Sequence, residues 1–412
     1  MSRRWAIGIL LAGLGVSALG DQVYLVALNV WVLGRTHSSV AVAGLWMAPP
    51  LAGLIVGSGM GSLADRWDRR LSLIVANLFS AVFIGIIPLL QHMVPIYIAI
   101  FLVASANGLF TASLASYVKL LVPRPHWARI NAVRGMLTYG SLVLGPAVAG
   151  VLLIRGQPGI AIWLDATTFL LSAGALALLP RLNPVHEGSD AEGTRRMASQ
   201  WSHDLQMVRD FLQSHRVVLG VMAGFFAMVV FGSAADAQEV VFTRRVLGLS
   251  QSGYGYLVSA AGSGYVVGAL LTYLVGSRLS VRVALGVGVA LSATSYLFYA
   301  RSTTFETAAL ALVLLGIFQS IANVGFSVYL QESLPTTMIG RIIGTVQAAQ
   351  NGLIVVAVLV GGFLAHTSGV RFMMTSASVA ALAAGLWLTA LCLGPGAATR
   401  FVSPEVARRV SS

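Results

Sequence analysis

Apolar residues in this chain gather into long runs separated by short polar segments. The runs lie at about 5–33, 40–63, 71–91, 95–121, 131–154 and 160–180, then, after a polar gap, at about 217–246, 253–277, 283–300, 306–330, 342–365 and 371–394. A bilayer crossing takes roughly 20 apolar residues. Backbone amides in hydrocarbon must be satisfied within their own segment, so each run predicts a transmembrane α-helix. The even number of runs places both termini on one side of the membrane. The longest interruption divides the chain into a first bundle over 1–180, a linker over 181–216, a second bundle over 217–395 and a tail over 396–412. In the linker, Trp201, Leu205, Val208 and Leu212 recur at helical spacing with Asp204 and Arg209 between them, predicting an amphipathic helix at the membrane surface.

Composition supports a membrane protein. Only 10% of the 412 residues are charged and mean hydropathy is +0.83, whereas a soluble domain is about 25% charged. The net charge of +12 would suit nucleic acid, but the basic residues sit in short loops between apolar runs. Twenty of the 26 basic residues fall on the side of the termini, among them Arg66, Arg69, Arg70, Arg134 and Arg341. That bias puts both termini in the cytoplasm. Cys392 is the lone cysteine, which excludes a disulfide framework and a thiolate metal site. The first run continues to about Leu33 and reads as a retained helix rather than a cleaved signal.

Two signatures carry more than topology. The segment Gly61-Ser62-Leu63-Ala64-Asp65-Arg66-Trp67-Asp68-Arg69-Arg70 packs charge between the second and third runs. It resembles the loop motif of the major facilitator superfamily, G-x-L-A-D-R-x-G-R-R, departing at Asp68 where the pattern has glycine. The variant is similar to the branch of macrolide-efflux and enterobactin-export proteins, as are the stretches around Trp163-Leu164-Asp165-Ala166 and Gly340-Arg341-Ile342-Ile343-Gly344. In the fifth run, Ser141-Leu142-Val143-Leu144-Gly145-Pro146-Ala147-Val148-Ala149-Gly150 resembles the antiporter motif of exporters in that superfamily, with Ser141 and Ala149 replacing glycines. Gly145-Pro146 permits a kink, and the small residues permit close helix packing. A weak internal repeat, Val32-Leu33-Gly34 with Ser38 and Val246-Leu247-Gly248 with Ser252, fits the superfamily's two pseudo-symmetric six-helix bundles. The fold expected is therefore all-α, with twelve transmembrane helices.

The resemblance implies a monomer in a bacterial-type cytoplasmic membrane, moving a small amphipathic molecule by alternating access. It assigns Gly61, Asp65, Arg66, Arg69 and Arg70 to a cytoplasmic gate, with Arg134 or Arg341 as partners of Asp65. Ionisable residues at membrane depth are costly and are functional candidates by default. Asp21 lies mid-way along the first run, and Asp236 and Glu239, three apart, lie towards the outer part of the seventh. Asp21 could couple protons or contact substrate, or fix helix packing; Asp236 and Glu239 share a helix face and could bind a proton or a cationic group, or stand where a short outer loop begins. Asp165 reads as structural, capping its helix or pairing with Arg155. Polar candidates for a cavity are Gln22, Tyr24, Asn29, Asn107, Gln319, Asn323, Gln347, Gln350 and Asn351, although hydrogen bonding between helices is their commonest use.

Some chemistry is missing from the sequence. The fourth run reads Val103-Ala104-Ser105-Ala106-Asn107-Gly108, without the buried arginine of many proton-driven exporters, so coupling would run through Asp21 or the acids of the seventh run. No G-x-x-x-x-G-K-[ST] loop, metal-spaced cluster or nucleophile arrangement is present, so neither an ATPase nor an enzyme is expected, nor any cofactor beyond a proton gradient. The expected function is export of drug-like, macrolide or siderophore-type molecules in exchange for protons. Alternatives are a dedicated metabolite exporter, a lysophospholipid flippase and an importer.

Overall fold

The computed structural model describes residues 3–57, 59–60, 67–182, 206–275, 279–335 and 338–394. Gly61, Asp65 and Arg66 of the loop motif, Trp201 and Leu205 of the linker, and the tail lie outside the described residues. Twelve long helices make up the rest, and the polypeptide forms no strand among the described residues. They are α1 (Arg3–Thr36), α2 (Ser39–Ile55), α3 (Arg69–Ile86), α4 (Met93–Leu121), α5 (Trp127–Leu153) and α6 (Pro158–Ala177). The second set is α7 (Arg216–Asp236), α8 (Gln251–Val275), α9 (Val281–Arg301), α10 (Phe305–Ser333), α11 (Ile339–Thr367) and α12 (Val370–Leu393).

Eleven of these are long and apolar enough to cross a membrane. The twelfth, α2, has 17 residues and stops at Val56. Helical backbone resumes at once, Met60 N–H donating to the Val56 carbonyl at 3.0 Å. Polar side chains fix several helix starts. Ser38 accepts from Ala41 N–H to begin α2, and Thr304 forms a capping box with Thr307 at α10. Asp68, the departure from the loop motif, accepts from Leu71 N–H at 2.9 Å and caps α3.

Packing repeats with an offset of six helices. In the first half α1 packs on α5 and α6, α3 on α4 and α6, and α2 on α4. In the second, α7 packs on α11 and α12, α9 on α10 and α12, and α8 on α10. The halves meet through α5 with α8 and α2 with α11, a pair of contacts that the same offset interchanges. One hydrophobic cluster at the end opposite the termini draws residues from both halves, including Val30, Trp31, Ile96, Phe242, Tyr299 and Met374. Towards the termini the core is divided. One cluster is built from 208–392 alone and another from 6–182 alone. Among the described residues a shared core thus joins the halves at one end, while towards the termini each half is split off with a core of its own.

The internal repeat is structurally unequal. Gly34 lies inside α1, which turns only at His37 (φ 48°), whereas Gly248 itself takes φ 67° and makes the turn before α8.

Gly262 of α8 lies directly against the Leu142 carbonyl of α5, with no room for a Cβ. That obstacle is backbone and cannot rotate away. Gly262→Val is expected to destabilise the fold by about 1–3 kcal/mol through overpacking, while Gly352→Ala, whose surroundings are open, leaves it unchanged. Thermal unfolding in detergent compares the two.

Candidate functional site

The apolar run that predicts one helix over 217–246 is broken. α7 ends at Asp236, Gln238 adopts φ −105° and ψ 2°, and the chain continues through a short turn, Glu239–Val241, into a π-turn, Phe242–Val246. Neither proline nor glycine lies at the break. Gln238 is fully buried there and its Nε2 donates to the Ser39 carbonyl of α2 at 3.1 Å, a bond between the halves. Arg245 on the π-turn donates to the His37 carbonyl, and Ser39 Oγ to the Gly362 carbonyl at 3.4 Å. Such departures from α geometry are frequent at functional sites.

Below the break, α7, α8, α9, α10 and α12 enclose a cavity of about 260 Å³. Its polar lining includes Asp236, Tyr265, Tyr296, Gln319 and Asn323, and Met228, Phe231 and Leu315 supply apolar wall. Tyr296 Oη donates to Asp236 Oδ1 at 2.6 Å, and Gln319 Nε2 to Asn323 Oδ1 at 3.3 Å. A carboxyl flanked by phenols above apolar walls suits a guest with one polar or cationic group and a greasy body. Glu239 does not line this cavity. The helix ends before it, so it shares no continuous face with Asp236; its Oε1 is buried without a hydrogen-bond partner among the described residues.

A second cavity of about 130 Å³ lies in the first half, lined by Leu14, Ser17, Asp21, Phe110, Arg134 and Thr138 among others. Asp21 is exposed to it. Arg134, expected as a partner of Asp65, lines this cavity with Asp21. Asp165 is fully buried in α6 and accepts from Thr168 Oγ1 at 3.1 Å on Oδ1. It packs against Gly20 of α1, which replaces the expected surface role beside Arg155.

The Gly145-Pro146 segment of α5 faces two helices. Gly145 lies on α1 against Gln22 and the Leu19 carbonyl, while Pro146 and Gly150 lie on α8 against Gly255. Ser259 Oγ donates to the Val143 carbonyl at 2.7 Å, and Ser141 Oγ to Thr138 at 2.8 Å within α5. Ala149 is fully buried.

A family model described as Major Facilitator Superfamily matches residues 10–251 and 219–408. The chain belongs to the Major Facilitator Superfamily. Its relatives include an "Uncharacterized MFS-type transporter YfiS" of Bacillus subtilis (strain 168), 22% identical with 88% of this chain and 87% of the other covered. Another is a "Putative bacilysin exporter BacE" of Bacillus amyloliquefaciens, 24% identical over 92% of each chain. Among solved structures, a bacterial homologue of the human lysosomal transporter Spinster, inward-facing and unoccupied, aligns at TM-score 0.73 and 14% identity, covering 98% and 99% of the two chains. A D-xylose–proton symporter aligns at TM-score 0.70 and 16% identity over 98% of each. At these identities the solved structures speak for the fold alone.

Several residues expected in the cavity or gate of this facilitator lie elsewhere. Asn29 is buried between α1 and α2, donating to the Leu25 carbonyl at 2.8 Å and accepting from Trp46 Nε1 at 3.0 Å, so it serves helix packing. Asn351 lies against Gly53 of α2, at the seam between halves. Gln350 is buried, whereas Asn107 and Gln347 are exposed; none of the three lines either cavity. The Tyr24 hydroxyl is buried without a hydrogen-bond partner among the described residues. Arg70 donates from Nε to the Leu176 carbonyl at 3.1 Å and from Nη2 to the Ala177 carbonyl. It therefore binds the last carbonyls of α6 in its own half, where a cation complements the helix end. Arg69 opens α3 and Arg341 lies exposed in the first turn of α11.

Tyr296, Tyr265 and Ser292 line the main cavity without having stood out in the sequence, because they sit in uniformly apolar runs. Only the convergence of α8 and α9 with α7 on one cavity reveals them.

Gln238→Ala removes one buried hydrogen bond between the halves, worth about 1 kcal/mol or about a fivefold shift toward the open far end. Hydrogen–deuterium exchange over residues 39–48 is expected to accelerate by that factor, and an unchanged rate would deny the bond its latching role.

Proposed function

We propose that this protein is a secondary active transporter that exports amphipathic small molecules across the cytoplasmic membrane in exchange for protons. The observation that carries this reading is the cavity beneath the α7 break, where Asp236 and Tyr296 face apolar walls inside the membrane-spanning bundle. The guest it suits is drug-like, macrolide-like or siderophore-like with a cationic or hydrogen-bond-donating group. The resemblance of the loop and α5 motifs to exporters, and the relative whose name is that of a bacilysin exporter, favour outward movement.

The positive-inside bias puts the termini, and hence the split end, in the cytoplasm. In this reading the fold is inward-facing, loading from the cytoplasm while the far end is shut by Gln238, Arg245 and the shared core. The two six-helix bundles, 1–180 and 217–395, would rock about the α5–α8 and α2–α11 seams, with the linker tethering them and a single chain sufficing.

One feature favours a second reading. An apolar crevice of about 470 Å³, lined by Val40, Gly44, Met47, Leu51, Tyr97 and Leu359, opens where α2 meets α4 and α11. A lateral opening of that kind suits a lysophospholipid.

Inside-out vesicles energised with an acidic lumen separate these readings. Ethidium is expected to accumulate and release lumenal protons. Asp236→Asn should lower that accumulation at least tenfold, and Tyr296→Phe about tenfold, in keeping with about 1.5 kcal/mol for a hydrogen bond to a charged group. Proton release by lysophosphatidylcholine alone would replace the drug reading with the lipid one, and no release by ethidium, erythromycin or lysophosphatidylcholine would sink proton exchange.

A further inference from the structure

Asp165 is a fully buried carboxyl at membrane depth to which the function proposed above assigns no task. Its Oδ1 is held by Thr168, but its Oδ2 is buried and makes no hydrogen bond among the described residues. The side chain reaches α1 at Gly20, where any Cβ would strike both the carboxyl and the Thr168 hydroxyl. Gly20 thus admits an acid of α6 to the backbone position next to Asp21. Tyr24, one turn further along α1, brings its own buried hydroxyl without a hydrogen-bond partner among the described residues.

Compensating cations are placed elsewhere. On α1 the ionisable residues next to Gly20 are Asp21 and, one turn on, Tyr24. On α3 the charged residues are Arg69 and Arg70 at its start, and Arg70 is committed to the Leu176 and Ala177 carbonyls, about 16 Å along α6 from Asp165 at 1.5 Å per residue. On α5 the ionisable residues are Arg129, Arg134 and Tyr139, of which Arg134 lines the cavity of Asp21. A second carboxyl at the adjoining backbone position, in a low-dielectric interior, works against both groups carrying charge. A proton removes the buried charge and gives Oδ2 a hydrogen to donate.

We propose that Asp165 and Asp21 hold one proton between them and form the proton-binding site of the first half. Asp21, open to the cavity, takes the proton from water and returns it there, while Asp165 is the sealed member that shares it. The substrate cavity at Asp236 lies in the other half, so proton and substrate occupy separate sites. This deepens the exchange reading and rests on it for transport, though the shared proton itself can be measured without any substrate.

The test uses the full-length protein and Asp165→Asn, which keeps the side-chain size and an acceptor for Thr168. Infrared spectra of purified protein in lipid should show a protonated-carboxyl C=O band that disappears in Asp165→Asn. In vesicles, ethidium accumulation driven by a pH gradient should fall at least tenfold, whereas ethidium exchange at equal pH on both sides falls no more than twofold. An unchanged band overturns the shared proton. A lost band with undiminished gradient-driven accumulation overturns its role in coupling, and a parallel loss of accumulation and exchange makes Asp165 a structural residue. If the unaltered protein moves no ethidium at all, the exchange reading fails, and the infrared band still decides the proton.

Discussion

A backbone within hydrocarbon must satisfy its own hydrogen bonds, and the architecture follows from that constraint and from its few violations. Most of the chain complies as uninterrupted helix. The violations fall where the halves meet. Pro146 cannot donate to the Leu142 carbonyl, and that carbonyl lies beneath Gly262 of α8 while Ser259 serves its neighbour, Val143. Pro49 and Pro50 remove two backbone donors inside α2, the helix that pairs with α11. The break after Asp236 sends Gln238 across to Ser39. Interrupted helices are softer than continuous ones, so the same positions that join the halves are those at which the joint can bend.

Much of this was legible in the sequence, for a physical reason. Helix-forming runs in a membrane are dictated by apolar length, so ten of the twelve helices lie within a few residues of their runs, while α7 stops ten residues short at Asp236 and α2 eight short at Ile55. The α7 break was legible only as the alternative of an outer loop near the acids, because Ala237–Gln238 carries no breaker residue and the Gln238 partner lies 199 positions away. The acids at 21 and 236 stood out because charge is rare at depth, and each lines a cavity. Tyr296 did not, since a tyrosine among apolar residues looks like packing until α9 is laid beside α7. Asp165 was undervalued for a related reason. Its position near the start of a run suggested the membrane edge, whereas Gly20, which draws it inward, belongs to another helix.

The two halves use the same packing scheme with different polar content. The second half concentrates its polar groups in a cavity formed by five helices, with phenols to orient its acid. The first half keeps a smaller cavity and commits Asn29, Trp46 and Arg70 to holding its own helices together. Duplication thus supplied the scaffold, and divergence of a handful of side chains supplied separate tasks.

The hydrogen bonds that shut the far end all end on main-chain oxygens, those of His37, Ser39 and Gly362. Every residue type offers a carbonyl, so the receiving side of this closure can drift in sequence without loss, and only the donors Gln238, Arg245 and Ser39 are constrained by their identity. A main-chain oxygen also has no ionisation to lose. The closure is therefore blind to acidity, and a bound proton can loosen it only mechanically, by moving the helices that carry those donors.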